Sequence, residues 1–148
     1  MEAKISHTTR VKAVKVKDID ALRAAVDTLA RERNINIRLE ENTGARLWST
    51  EPKCAFVVKV PDCRFDLGFE RQEDGSYAPM FDAHGGYLAK FLGGGRELAK
   101  TPEEMMLSNI GGIMQAYTRE VLTRTAQMQG ALVNTTTAED GTVVLQIY

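Results

Sequence analysis

Thiols, imidazoles, carboxylates and a run of glycines are the groups in this chain that could do chemistry. His7, Cys54, Cys63 and His84 supply the atom types of a four-ligand metal site. Their spacing matches no zinc finger or knuckle, and no Cys-x-x-Cys pair is present. Cys54 opens an apolar stretch, where a thiol serves as a small hydrophobe. No metal and no cofactor is assigned. Cys63 follows Pro61-Asp62 and precedes Arg64, a setting in which a neighbouring cation lowers a thiol pKa. An activated cysteine also needs a base within hydrogen-bond reach, and no local signature supplies one. A small enzyme built on Cys63 therefore ranks last among the readings, and no catalytic residue is assigned.

Asp62, Asp66, Glu70, Glu73 and Asp74 crowd one hairpin. Asp66 and Glu70 share a strand face, so as a pair they could bind a cation or act as acid and base. The preferred expectation is plainer: a solvated outer face opposite Phe65, Leu67 and Phe69, as a one-sided sheet produces. Gly93-Gly94-Gly95-Arg96 is the candidate ligand-binding loop. Consecutive glycines let backbone N–H groups converge on a phosphate, and Arg96 adds a fork of donors. The segment lacks the Lys-Ser/Thr ending of a P-loop and no strand leads into it, so a loop that ends a short helix is favoured. Arg10, Lys12, Lys15 and Lys17 are the candidate nucleic-acid contacts. Lysines on an edge strand also prevent edge-to-edge pairing, which is the favoured role here. No aromatic residue interleaves with them, so no stacking platform for single strands is evident.

Composition narrows the classes. With 19 Lys and Arg against 20 Asp and Glu, the net charge is −1, and 43% of the 148 residues are hydrophobic. That excludes the uniformly basic surface of a dedicated duplex binder and the low hydrophobicity of a disordered chain. The length fits one domain over residues 1–148, which buries roughly 68–70% of its unfolded surface without a staple. No apolar run approaches the ~20 residues of a membrane span, and MEAKISHTTRVK lacks the apolar stretch of a signal peptide. With two cysteines and no secretory signal, a reducing cytoplasm is expected. Charge is uneven, with +4 over residues 1–17 and −3 over residues 101–148.

These groups need elements to hold them. Residues 5–17 read as a strand whose apolar phase slips between Val11 and Val14, which predicts a bulge or strand end near Lys12–Ala13. Asp18 is an N-cap for a helix striped by Ile19, Leu22, Val26 and Leu29 and ending near Asn34. A short strand is predicted at 35–39, a polar turn at Glu40–Gly44, another short strand at Arg46–Ser49, and a central strand at Cys54–Val60. The hairpin from Phe65 to Phe81 turns at Asp74-Gly75. A Gly-rich stretch leaves room for one short helix around Tyr87–Leu92. Thr101 caps a long helix striped by Leu107, Ile110, Met114, Tyr117 and Val121, which Gly111-Gly112 should interrupt. That stripe spans less than three heptads and so reads as a sheet-facing stripe rather than a coiled coil. Gly130 ends the helix, and a second hairpin closes the chain around Asp140-Gly141. The order β-α-β-β-β-β-α-α-β-β implies a two-layer α+β fold, an antiparallel sheet with helices on one face.

Taken in order, these segments resemble an uncharacterised family named for a hypothetical chloroplast reading frame, with relatives in cyanobacteria, other bacteria and phages. Ser6-His7, Lys17-Asp18-Ile19-Asp20-Ala21-Leu22, Asp66-Leu67-Gly68-Phe69 and Glu73-Asp74-Gly75-Ser76-Tyr77 carry the likeness in the first half. Gln115, Tyr117, Val121, Leu122, Ala126, Gln129-Gly130, Glu139-Asp140-Gly141, Val143, Leu145 and Ile147 carry it in the second. Where that family tends to a Trp-Trp-Gly-like stretch, this chain has Ala83-His84-Gly85-Gly86. The resemblance implies an α+β fold and no settled activity. It also implies an adaptor role beside an ATPase of the AAA type, or an accessory role in a phage, acting in the host cytoplasm. The leading expectation is thus a non-enzymatic binding or adaptor protein that contacts a protein partner or its own copies. Met105, Met106, Met114 and Met128 would offer an adaptable surface. The alternative is a nucleic-acid or nucleotide binder using Arg10–Lys17 and Gly93–Arg96.

Overall fold

The structure, a computed structural model, describes residues 8–95, 101–128, 133–137 and 143–147. Its elements follow the expected order: β1 (Thr8–Arg10), α1 (Ile19–Arg33), β2 (Arg38–Gly44), β3 (Lys53–Lys59), β4 (Leu67–Arg71), β5 (Tyr77–Asp82), α2 (Ala89–Leu92), α3 (Pro102–Met128), β6 (Val133–Thr137) and β7 (Val143–Ile147). The first five strands form one antiparallel sheet in the order β1-β5-β4-β3-β2. The hairpin β6–β7 is a separate two-stranded sheet beside α3. Its Asp140-Gly141 turn lies outside the described residues, as does Gly130. No helix among the described residues is long and apolar enough to cross a membrane.

The phase slip near Lys12–Ala13 is a turn. Val14 donates its N–H to the carbonyl of Val11, and Val16 then resumes pairing with Tyr77. Val11 and Val16 are thereby both buried although five residues apart. Helix α1 begins where Asp18 accepts the Ala21 N–H at 2.9 Å and ends at Asn34 in the left-handed conformation. Helix α3 begins with a reciprocal cap: the Thr101 hydroxyl accepts the Glu104 N–H and donates to the Glu104 carboxylate.

Three expectations are corrected. Glu40–Gly44 is not a turn: the polar run stays extended because β3 pairs with it from Arg38↔Lys59 to Gly44↔Lys53, and pairing overrides local propensity. The turn comes later, where Leu47 donates to the Thr50 carbonyl, so Arg46–Ser49 forms the hairpin tip rather than a strand. Gly111-Gly112 does not interrupt α3, which runs unbroken for 27 residues. The bare backbone there receives the chain after α2 instead. Gly94 donates to the Leu107 carbonyl, and Arg33 donates to the carbonyls of Phe91 and Gly93.

One face of the sheet (Val58, Leu67, Phe69, Phe81) joins Leu22, Val26 and Leu29 of α1 and Ile110, Ile113 and Tyr117 of α3 in the main core. The Tyr117 hydroxyl accepts the N–H groups of Lys17 and Asp18, tying α3 to the start of α1. On the opposite face the tip of the β2–β3 hairpin folds over, and Ala45 and Leu47 pack with Cys54, Val57 and Met80.

Candidate functional site

That covering tip changes what the outward acids do. Asp66 was expected on a solvated face, yet it is fully buried. Arg46 grips it through Nε to Oδ2 and Nη2 to Oδ1, both 2.9 Å, and the N–H groups of Arg46 and Val60 donate to it at 3.0 Å. Lys59 stands 3.7 Å away. Burial alone would raise the Asp66 carboxyl, but the hydrogen bonds from Arg46 and Val60 outweigh it and hold the group below the usual carboxylate range. Asp66 also donates its own N–H to the Arg46 carbonyl. The whole pair is a clamp on the hairpin tip, with its acceptor positions filled.

Asp82, on β5, is a second buried clamp. Its Oδ2 accepts the Trp48 backbone N–H at 3.1 Å and its Oδ1 accepts the His84 N–H at 2.9 Å. One carboxylate thus fixes two segments, and their side chains meet outside it. The rings of Trp48 and His84 lie 4.1 Å apart, and His84 and Tyr87 follow at 6.3 Å. Trp48 is 40% exposed and Tyr87 37%. The Arg64 guanidinium lies 5.2 Å from the centroid of Trp48, and the Lys90 ammonium 5.8 Å from that of Tyr87. Local sequence sets each piece. Arg64 points outward between buried Cys63 and Phe65, and the Tyr87 ring rests on Phe65 at 6.0 Å. Gly85 has φ 67°, and a Cβ there would come within 2.5 Å of the Tyr87 ring, so only glycine permits this turn. The result is an aromatic patch, held on a hydrogen-bonded base and rimmed by cations.

The residues singled out from the sequence distribute differently. Arg10 is paired with Glu70 at 2.9 Å and Lys15 with Asp74 at 2.7 Å. Lys15, with the Ser76 hydroxyl and N–H, holds the Asp74 carboxyl well below its usual range. Lys12 and Lys17 are exposed, and the Lys17 N–H is bonded to Tyr117. Strand β1 is the sheet edge. Gly93 and Gly94 donate their N–H groups to the carbonyls of Ala89 and Leu107, so those donors already have acceptors. Gly95 is exposed, and Arg96 lies outside the described residues, as does His7. Cys54 and Cys63 belong to cores on opposite faces of the sheet, and burial pushes both thiols up from their ordinary values. For Cys63 this is the opposite of the lowering that activation needs. Among the described residues no three or more His, Cys, Asp or Glu are grouped to hold a metal ion. Met114 is buried rather than exposed; with Met106, Val14 and Leu107 it lines a shallow apolar groove of about 230 Å³, while Met128 is 89% exposed.

Sequence reading missed the patch because its members come from three separate segments. One signal was present: β3 is apolar in both phases, which is how a strand covered on both faces reads. Comparison with known protein families, with curated proteins and with solved structures finds no match to this chain.

Proposed function

We propose that this chain is a non-enzymatic binding protein that docks a protein partner on the patch formed by Trp48, His84 and Tyr87. The observation that carries the reading is the exposure of Trp48 and Tyr87 on a base fixed by buried Asp82. Trp, Tyr and Arg are the residue types that dominate binding energy at protein interfaces. Rings held in place also lose little conformational entropy on docking. The mutual packing of the rings favours a protein surface over a row of nucleobases, since Trp48 already carries His84 and Arg64 against it. The pairing of Arg10 and Lys15 with acids likewise weakens the phosphate-contact alternative. A second copy of the chain and, by the family resemblance, an AAA-type ATPase are the partners to try first.

The test is affinity capture from host lysate followed by native mass spectrometry, with wild type beside a Trp48→Ala/Tyr87→Ala variant. The expected result is one protein retained in fixed stoichiometry by wild type and lost by the variant at unchanged melting temperature. Retention by both, or recovery of nucleic acid alone, would overturn the proposal.

A further inference from the structure

Resting on that reading of the patch, we infer that the docked segment is acidic: an extended stretch whose carboxylates meet Arg64 and Lys90 while an apolar side chain covers Trp48. The local charge of the patch supports this. Arg10, Lys15, Arg38 and Arg124 each have a carboxylate partner within 3.0 Å. Arg64 and Lys90, both exposed, have no ion pair among the described residues, as Lys12, Lys17, Arg31, Arg33, Lys53 and Arg71 also have none; what sets Arg64 and Lys90 apart is that each stands over a ring of the patch. The acid inside the patch, Asp82, is buried with both oxygens accepting backbone N–H groups, so it does not neutralise them. Asp62, two residues before Arg64, makes no ion pair with it.

Geometry adds a reason why arginine stands over the tryptophan. With its Cζ 5.2 Å from the ring centroid, the Arg64 guanidinium offers an N–H fork that matches a carboxylate bidentately. The ring contacts from Trp48 through His84 to Tyr87 are each a single ring-to-ring step. Followed end to end from Arg64 to Lys90 these contacts span at most about 21 Å, which a partner stretch of about seven residues at ~3.3 Å each covers.

The single tryptophan of the chain sits in the patch, so its emission reports occupancy directly. The full chain would be titrated with a ten-residue peptide of alternating Glu and Leu, the same peptide with Lys replacing Glu, and a ten-nucleotide oligodeoxythymidine. The expected result is a saturable change in Trp48 emission with the acidic peptide only. It should weaken as salt rises, and by about threefold for each of Arg64→Gln and Lys90→Gln, as exposed charge pairs do. No response to the acidic peptide, an equal response to the basic one, or a response to the oligonucleotide alone would overturn the inference. If captured partners still depend on Trp48 and Tyr87 while charge removal changes nothing, the acidic segment fails and the protein-docking reading stands. If capture ignores the patch, both fail.

Discussion

Asp66 and Asp82 stand on the strand phase that faces away from the helices, and both are buried all the same. Their carboxylates work as clamps on the segment that covers them. Removing one partner of a buried, hydrogen-bonded ion pair costs about 3–5 kcal/mol, so Asp66→Ala should lower unfolding stability by that order in urea titration. The pH dependence has a definite sign. The folded-state carboxyl lies below its unfolded value of about 3.9, so its contribution is complete above that value and is lost as pH falls through the folded one. Stability of the wild type should therefore decline in acid below about pH 4, and more shallowly in Asp66→Asn. Asp82→Ala should cost about 1–3 kcal/mol for the N–H groups left without an acceptor. It should also shift Trp48 emission toward that of a solvated indole, because the backbone under that ring is released. Alternation along the strand put Asp66 on the outer face, and Asp82 was not singled out at all. Alternation could not show burial, because the covering residues, Ala45 to Trp48, come from another hairpin.

At the scale of elements, what was legible is what is local. The caps of α1 at Asp18 and Asn34 and of α3 at Thr101 involve residues within a turn of one another, and the Asp74-Gly75 turn is equally self-contained. The length of β2 was not legible, since its polar residues are held extended by the register of β3. Nor was the continuity of α3, because its glycines answer to a segment that crosses them. That crossing makes a sharp prediction. Helix propensity alone says Gly112→Ala should stabilise by about 1 kcal/mol. A Cβ at Gly112 would lie 2.6 Å from the Gly93 carbonyl oxygen and 2.3 Å from Arg33. The expected outcome in chemical denaturation is instead a net loss of about 1–3 kcal/mol from overpacking. A gain would mean that the loop after α2 does not press on α3. Tyr117→Phe should cost about 1–2 kcal/mol and speed amide exchange at Lys17 and Asp18, whose N–H groups share that hydroxyl.

For the molecule as a whole, the fold is a sheet covered on one face by α1 and α3 and on part of the other by the folded hairpin tip. The tip brings Trp48 to the end of β5, where Arg64, His84, Tyr87 and Lys90 gather from distant positions. No single stretch of sequence holds more than part of that patch, which is why composition and motif reading left the binding surface unplaced. The most direct measurement is acrylamide quenching of Trp48, taken on the purified chain and again on the complex it forms with its captured partner. Docking on the patch should leave Trp48 readily quenched in the free chain and several-fold less accessible in the complex. Equal quenching in both states would contradict it and move the contact to another face.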